Sequence, residues 1–233
     1  MASVVTETEY EANGAFHQYC EAIFELAEDD VEVIQARVAE RLGVSRPAVS
    51  EMMKRLEADG FIELRGNVIE LTGRGSTFAE LVVRRHRLAE RMLTDILGLS
   101  WAEAHAEAGR WENVISPAVE GAINRILGDP TTCPHGNPIP GSDYRPPETV
   151  LLATIRPGDR FQVSRIPEEL EFTPGLLQYL EDASVTPGRH GSVTARSPDG
   201  TVTVCIDDRH IGIGQYAASR IMVAVLERGP ASR

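Results

Sequence analysis

The stretch VIQARVAERLGVSRPAVSEMMKRLEADGFIELRGNVIEL, residues 33–71, decides the fold of this chain. Residues 33–42 and 47–58 each repeat apolar side chains at spacings of three and four, which predicts two helices. Between them, Gly43 can end the first helix, and Ser45 is a suitable N-cap for the second. The segments FIEL and VIEL, joined by a Gly-Asn turn, predict a two-stranded hairpin. Helix, short turn, helix and hairpin are together typical of a winged helix-turn-helix, which binds DNA.

The net charge of the chain is −12, from 35 acidic and 23 basic side chains, and as a sum it argues against nucleic acid as a partner. The distribution of the charge argues otherwise. Residues 1–33 carry −9 and residues 93–233 carry −6, whereas residues 34–92 carry +3. The mildly basic window therefore holds the predicted winged helix, and the acidic remainder should make nonspecific DNA binding weak.

The cysteines and the hydropathy pattern indicate a cytoplasmic location. Cys20, Cys133 and Cys205 are odd in number and widely spaced, which disfavours a disulfide framework and fits a reducing compartment. No apolar run reaches the roughly 18–20 residues that a membrane span needs, and the acidic N-terminus lacks the features of a signal peptide. We therefore expect no membrane partner.

The remaining sequence predicts helices first and strands later. Apolar spacing and caps predict helices over 15–28, 74–97, 101–115 and 117–127. A stretch rich in Pro and Gly follows, over residues 129–148. After it the apolar period becomes two, which predicts short strands in a small β-barrel-like domain, interrupted by one helix. The strands are predicted at 149–155, 160–166, 191–196, 201–206 and 209–214, and the helix at 173–182.

Histidines and acids on the middle helices have the spacing of metal ligands. His86 and Glu90 are four residues apart on one helix, and His105 and Glu112 are seven apart on the next, so each pair shares a face. Imidazole and carboxylate together suit Fe²⁺, Mn²⁺, Co²⁺, Ni²⁺ or Zn²⁺. Taken alone, such a pair is more often a solvated helix face than a metal site.

Several motifs taken in order make the sequence similar to the diphtheria toxin repressor family of metal-dependent transcriptional regulators. The resemblance covers residues 15–141 and, less closely, 148–228. It rests on the segments 36–42, 45–50, 84–91 and 136–141, on His105 and on Arg110-Trp111-Glu112. It implies a homodimer in which bound Fe²⁺ or Mn²⁺ favours the DNA-binding form and represses metal-uptake genes.

The family also implies an α+β fold with three domains. These would be a winged helix DNA-binding domain at 1–73, a helical metal-binding and dimerisation domain at 74–141, and a C-terminal small β-barrel of the Src-homology type at 148–233, after a linker at 142–147.

By this resemblance, one metal site is well preserved, with His86, Glu90 and His105 at matching positions. Relatives complete that site with an acid and an amide from the C-terminal domain, where the best-matching residues here are Thr173 and Leu176. Neither can replace those ligands. Three neighbouring acids could do so if the loop is shifted: Glu168, Glu169 and Glu171.

The second site implied by the family is altered. Iron-type relatives place Met, Cys, Glu and His where this chain has Gln18, Gly109, Glu112 and Asn113, and Glu21 aligns with a ligand position of manganese-type members. The set that remains is rich in oxygen. Three interpretations follow: a site rebuilt for Mn²⁺ or loosely held Fe²⁺, a site that is lost, or a protein that answers to another signal.

The resemblance also implies the DNA contacts. A two-fold dimer would prefer a pseudo-palindromic operator. Glu51 stands where relatives carry Gln, and because its carboxylate can accept a hydrogen bond from cytosine N4 but repels phosphate, we expect an operator that differs from the family's usual one. The expected DNA-binding residues are Arg37, Ser45, Arg46, Pro47, Ala48, Ser50, Glu51 and Arg55.

A hypothesis for the switch is that a metal bridges Gln18 or Glu21 to Glu112 and fixes helix 15–28, with the acidic first 33 residues contributing repulsion that a cation relieves. Two other classes remain open. A metallohydrolase is disfavoured because the sequence has no HExxH, GxSxG or phosphate-binding Gly loop. A metal-independent regulator, or a module that senses a peptide through its β-barrel, is the stronger alternative.

Overall fold

The computed structural model describes Thr6, Thr8, Tyr10 and residues 13–229. The acids Glu7, Glu9 and Glu11 of the predicted acidic stretch lie outside the described residues. The chain divides into two compact units. The first comprises Met1–Leu93, Ala106–Pro130 and Ile139–Ser142, and the second comprises Thr94–His105, Thr131–Pro138 and Asp143–Arg233. The three-domain boundaries implied by the resemblance stay a prediction.

The first unit begins with the predicted winged helix. A 3₁₀ turn at Gly14–Phe16 leads into three helices and a hairpin: α1 His17–Glu28, α2 Gln35–Leu42, α3 Arg46–Ala58, β1 Ile62–Arg65 and β2 Val68–Leu71. The two strands pair antiparallel, with Arg65 opposite Val68 across the Gly-Asn turn. The order of elements is the one that the sequence predicts.

Local chemistry explains where these helices begin and end. Gly43 ends α2 in the left-handed region, at φ 62°, which residues with a Cβ rarely adopt. The Ser45 hydroxyl accepts a hydrogen bond from the Ala48 amide at 3.4 Å and caps α3. Val49 and Met53 of α3 are fully buried in the core of this unit, so the opposite face of α3 points outward.

Two later helices differ from their predicted extents. The helix predicted over 74–97 is α-helical only over α4, Gly73–Arg91, and continues as a π-helical turn at Met92–Ile96. The helix predicted to reach residue 115 ends earlier, as α5, Trp101–Trp111. The side-chain amide of Asn113 donates a hydrogen bond to the backbone carbonyl of Gly109 at 3.0 Å. This satisfies one of the carbonyls that have no helical partner where the helix ends. The helix predicted at 117–127 is α6, Pro117–Ile126.

Among the described residues, the second unit contains a six-stranded antiparallel sheet in which the last strand of the chain lies between the first two and the other strands follow in chain order. Its strands are β3 Val150–Leu151, β4 Arg160–Arg165, β5 His190–Arg196, β6 Val202–Ile206, β7 Arg209–Ile213 and β8 Met222–Glu227, and its helices are α7 Glu168–Glu171, α8 Leu176–Asp182 and α9 Gln215–Ala218.

Two strand predictions for the second unit need correction. The strand predicted over 149–155 is extended for only two residues and then forms a 3₁₀ turn, Leu152–Thr154. Strand β8 was not predicted, although it lies between β3 and β4. Its run MVAVL is continuously apolar, and a short apolar run without alternation cannot be told from a helical segment by its pattern.

One buried carboxylate ties the end of β8 to the turn before β4. Asp159 accepts hydrogen bonds from the amides of Arg156, at 3.0 Å, and Gly229, at 2.8 Å, and from the Arg228 guanidinium at 3.1 Å. The hydrogen bond from the Arg156 amide is the main cause that holds the pKa of Asp159 below its usual value, and those from Gly229 and Arg228 add to it. The ionised form is therefore part of the folded structure.

Within the part of the chain that the structure describes, no helix is both long and apolar enough to cross a membrane.

Candidate metal centre and DNA-binding surface

The first unit gathers two carboxylates around one buried imidazole. His86 lies on α4, and its Nδ1 is 2.6 Å from Oε2 of Glu112 and 3.3 Å from Oε1 of Glu21. Glu21 comes from α1, which packs against α4, and Glu112 follows the last residue of α5. Glu21, His86 and Glu112 are called the first cluster below. Their ligand atoms all lie within 4.8 Å of one another, which suits a single metal ion.

A third carboxylate lies on the other side of the same ring. Nε2 of His86 is 3.3 Å from Oε1 of Glu90, which is fully buried one turn further along α4. His86 therefore joins the two ligand sets that the resemblance keeps apart. Its Nδ1 faces residues assigned to the altered site, and its Nε2 faces a residue assigned to the preserved one.

The charge state of His86 follows from these neighbours. Burial by itself lowers the pKa of the imidazole, but Glu21, Glu112 and Glu90 together raise it well above its usual value. Without a metal ion, these three acids favour the protonated, positively charged form of the ring. A divalent cation bound to the same carboxylates would supply that positive charge and displace the proton.

The other predicted ligands of the altered site are placed differently. Gln18 is exposed on α1. Asn113 is also exposed, and its Oδ1 lies 2.6 Å from Nδ1 of His17. Nε2 of His17 in turn lies 3.1 Å from the Tyr10 carbonyl, so both ring nitrogens of His17 are engaged. Cys20 is fully buried, and burial raises the pKa of its thiol to about 12, which makes it a poor metal ligand.

The second unit gathers a different set of donors. His105 lies with Glu168 and Glu171 of α7, and the ligand atoms of these three residues are within 4.8 Å of one another. Nδ1 of His105 is 3.1 Å from Oε2 of Glu171, and Nδ1 of His135 is 2.9 Å from its Oε1. The Cys133 thiol is 3.8 Å from the same nitrogen of His135. These five residues are called the second cluster.

A tight loop holds Cys133 and His135 in place. The Cys133 amide donates to the Asn137 carbonyl at 2.9 Å, and the Gly136 amide donates to the Cys133 carbonyl at 3.0 Å. Gly136 has φ 88°, and a Cβ there would lie 2.3 Å from the Ser164 carbonyl oxygen. The Asn137 side chain donates to Oε1 of Glu171 at 2.9 Å, so the loop also orients that carboxylate.

Sequence reasoning found part of this second set. Glu168 and Glu171 were among the three acids suggested as substitutes, whereas the third, Glu169, pairs with Arg220 at 2.7 Å. Cys133 and His135 were not predicted, although their spacing of two in a Pro- and Gly-rich segment is a usable signal. The predicted set of His86, Glu90 and His105 stays a prediction, because its first two members belong to the first unit and His105 to the second.

Helix α3 presents the predicted DNA-binding face. Ser50 is half-buried on it, and Arg37 on α2 is half-buried and donates to the Glu32 carbonyl at 2.8 Å. The guanidinium of Arg55 lies 5.4 Å from the centre of the Phe16 ring. The exposed residues of this face are Ser45, Arg46, Pro47, Ala48, Glu51, Lys54 and Arg55.

Comparisons with known proteins decide the family. Residues 15–67 match the family model for the iron dependent repressor N-terminal DNA binding domain, residues 72–141 match its metal binding and dimerisation domain, and residues 150–225 match the FeoA domain. The iron-dependent repressor IdeR of Mycobacterium leprae is 39% identical over 200 residues, covering 81% of this chain and 86% of that protein. The chain belongs to the diphtheria toxin repressor family.

The chain is also similar to other members of the diphtheria toxin repressor family. The diphtheria toxin repressor of Corynebacterium diphtheriae is 35% identical and covers 89% of this chain and 96% of its own length. A solved structure of a manganese-dependent transcriptional repressor in complex with manganese has a TM-score of 0.81 at 32% identity, covering 90% of this chain and 99% of that one. The predicted α+β fold class is confirmed, and these relatives are repressors rather than enzymes.

Proposed function

We propose that this chain is a homodimeric DNA-binding repressor that requires Fe²⁺ or Mn²⁺ and controls metal-uptake genes. The observation that carries the proposal is the first cluster. Its donors come from α1, from α4 and from the turn after α5, so one bound ion would connect a helix of the winged helix to the helical region that follows it. The names of the relatives support both the metal dependence and the repression.

The donor set fits a hard or borderline divalent ion. Glu21 and Glu112 offer carboxylate oxygens, and His86 offers one imidazole nitrogen. Oxygen-rich sites with a single imidazole favour Mn²⁺ or Fe²⁺ over softer ions. A bound ion supplies the positive charge that these carboxylates share. We therefore favour a rebuilt second site over a lost one.

Helix α1 is the element through which the ion would act. Ile23 and Leu26 of α1 belong to the same core as Val38 of α2 and Val49 of α3, while Glu21 faces His86. Holding Glu21 against Glu112 would restrict α1, and with it the orientation of α3. Metal binding would then shift a population of orientations toward the DNA-binding one rather than create new DNA contacts.

The second cluster would hold a further ion. His105, Glu168 and Glu171 have ligand atoms within 4.8 Å of one another, and His135 lies beside Glu171 with the Cys133 thiol next to it. Two imidazoles and a thiol suit softer ions such as Zn²⁺ or Co²⁺ better than the donors of the first cluster do. This cluster differs from the predicted preserved site, with which it shares His105 and the suggested substitutes Glu168 and Glu171. Two residues behind this cluster orient the Glu171 carboxylate. The Asn137 side chain donates a hydrogen bond to it, and Arg165 donates to Asn137 at 2.5 Å.

Dimerisation has a candidate surface in the helical region. Val114, Val119 and Ile126 are 79%, 47% and 61% exposed, on α6 and on the turn before it. Val119 and Ile126 are seven residues apart and therefore share a face of α6, and exposed large apolar side chains of this kind mark interaction sites. A second copy of the chain covering this face would place two α3 helices for a pseudo-palindromic operator. Binding to a DNA operator is consistent with the predicted cytoplasmic location.

The test measures operator binding with Mn²⁺, with Fe²⁺ under anaerobic conditions, and with chelator. We expect the unaltered protein to bind only with metal, and Glu112→Gln and His86→Ala to lose that response. Glu107→Gln is the matched control, because Glu107 lies on α5 close to Glu112 and pairs with Arg110 on the surface, at 2.5 Å. Unchanged metal dependence in both cluster variants would overturn the proposal, and chelator-insensitive binding would establish a metal-independent regulator.

A further inference from the structure

An N-terminal tyrosine is buried beside the first cluster without belonging to it. Tyr10 is 1% exposed. Its ring centre lies 4.0 Å from that of His17, 5.7 Å from that of Phe78 and 4.2 Å from the Arg85 guanidinium carbon. An arginine over an aromatic face is held there by cation–π attraction. Tyr10 therefore packs directly on the residue that precedes His86.

The hydroxyl of Tyr10 reaches the other side of the cluster. It donates to the backbone carbonyl of Glu112 at 2.9 Å, across 102 positions of sequence. Burial raises the pKa of the Tyr10 hydroxyl, so it stays protonated and remains a donor. The hydroxyl thus gives a specific partner to a carbonyl that lies just beyond the end of α5.

A second connection runs through the backbone of Tyr10. Its carbonyl faces Nε2 of His17 at 3.1 Å, and Nδ1 of the same ring faces the Asn113 side chain at 2.6 Å. The turn that carries Glu112 and Asn113 is thereby held at two successive residues. Arg85 is fixed in addition by Glu120, at 3.3 Å.

These contacts join the two sides of a metal site through residues that do not face the ion. We propose that Tyr10 is a positioning residue of the first cluster, which sets its metal affinity by holding the Glu112 turn at a fixed distance from His86. The inference rests on the proposed function, because it requires that this cluster binds the regulatory ion. Groups that orient metal ligands from behind typically change affinity by about 10- to 100-fold.

The experiment compares Tyr10→Phe with Tyr19→Phe in the full chain. Tyr10→Phe removes one hydroxyl and keeps the packed ring. Tyr19→Phe is the matched control, since Tyr19 is buried on α1 and, among the described residues, its hydroxyl makes no hydrogen bond to the Glu112 turn. Mn²⁺ binding is followed by titration calorimetry and by the electron paramagnetic resonance spectrum of bound Mn²⁺. The melting temperature without metal reports any general loss of stability.

We expect Tyr10→Phe to bind Mn²⁺ about tenfold more weakly and to broaden the spectrum of the bound ion, since a less fixed Glu112 gives a less uniform site. Tyr19→Phe should change neither. An equal loss of affinity in both variants would show a general effect of stability and would overturn the inference. A normal affinity and spectrum in Tyr10→Phe would overturn it as well.

Glu112→Gln distinguishes a failure of the proposed function from a failure of the proposed role of Tyr10. If Glu112→Gln binds Mn²⁺ as tightly as the unaltered protein, the proposed function of the first cluster fails and the inference fails with it. If Glu112→Gln loses Mn²⁺ while Tyr10→Phe keeps it, the proposed function stands and only the role of Tyr10 is wrong.

Discussion

The two clusters of this chain use similar residues on different supports. The first cluster takes Glu21 and His86 from helices of 12 and 19 residues, and Glu112 from the turn that directly follows α5. The second cluster takes its two acids from a four-residue helix, α7, takes Cys133 and His135 from a loop, and takes only His105 from a longer helix, α5. Ligands on long packed helices move with those helices, whereas ligands on a loop answer to its local hydrogen bonds. The first arrangement suits a switch, and the second suits retention of an ion.

The largest expected effect is on metal affinity, when one carboxylate is removed from either cluster. Glu112→Gln and Glu171→Gln each remove a carboxylate charge that is proposed to face a bound ion, and each keeps the volume of the side chain. We expect each to weaken one of two metal-binding events by about 100-fold, the upper end of what a supporting group alone would give. Calorimetry of both variants and of the double variant measures the stoichiometry. A double variant that loses no more than either single one would contradict two separate sites.

The next effect concerns the fold of the second unit alone. Asp159→Asn replaces an oxygen that accepts buried hydrogen bonds by an amide that faces the Arg228 guanidinium or the Gly229 amide. We expect a loss of about 2 kcal/mol in the free energy of unfolding, from the lost hydrogen bonds to a charged group. Urea unfolding at neutral pH measures it. Arg160→Gln, which alters an exposed residue at a 3.5 Å ion pair, is the control and should stay close to the unaltered protein.

The difference in the free energy of unfolding between the unaltered protein and Asp159→Asn should depend on pH. The pKa of Asp159 is lowered in the folded state, so its contribution is complete above the unfolded pKa of about 4 and is lost as the pH falls through the folded value. We expect the curves of the unaltered protein and of Asp159→Asn to converge in acid. Curves that stay parallel below pH 4 would exclude this role for the carboxylate.

A smaller effect tests the difference in donor chemistry. Cys133→Ser removes the thiol of the second cluster, which has no counterpart among the donors of the first. We expect Zn²⁺ and Co²⁺ to bind about tenfold more weakly and Mn²⁺ to bind almost unchanged, because sulfur favours the softer ions. Loss of the sulfur-to-cobalt absorption band in the Co²⁺ protein is the measurement. Cys205→Ser, on β6 in the same unit, should retain the band.

The smallest effect lies in the first unit but outside its cluster. Glu51→Gln removes a negative charge from the exposed face of α3. We expect binding to DNA without an operator to tighten about threefold at low salt, because a charge that repels phosphate is removed. Glu57→Gln, near the end of α3 and away from the half that is proposed to read bases, should do less. Equal effects of the two variants would mean that only the net charge matters.

The sequence predicts the first cluster better than the second for a physical reason. A helix of 3.6 residues per turn fixes which side chains share a face, so spacing alone places Glu90 beside His86. Glu21 becomes a candidate only through the family resemblance, and Glu112, which spacing pairs with His105, lies just beyond the end of α5 and beside His86. Cys133 and His135 sit in a loop whose conformation depends on a close approach between Gly136 and Ser164, which no periodicity encodes. Strand β8 was missed for a related reason, since a central apolar strand has no alternation to detect.

The spacing of apolar residues also does not predict where the helices end. The apolar spacing of α4 runs on past Arg91, yet the backbone changes to a π-helical turn there. Tyr10 lies outside the periodic segments, and its contact with Glu112 spans 102 residues. Long-range contacts of single side chains of this kind leave no trace in local spacing, so the sequence could place the cluster but not what holds it.

Lys54 is the single lysine of the chain, and it lies exposed on α3. A protease specific for lysine therefore has one cleavage site, after a residue on the face that is proposed to enter DNA. Two fragments of unequal size would appear as that site is cut, and bound operator would slow their appearance. Because Lys54 lies inside a helix, cleavage requires α3 to open locally. Comparing the rate with and without operator at one metal concentration would report how far DNA protects α3 in an unlabelled and unaltered protein.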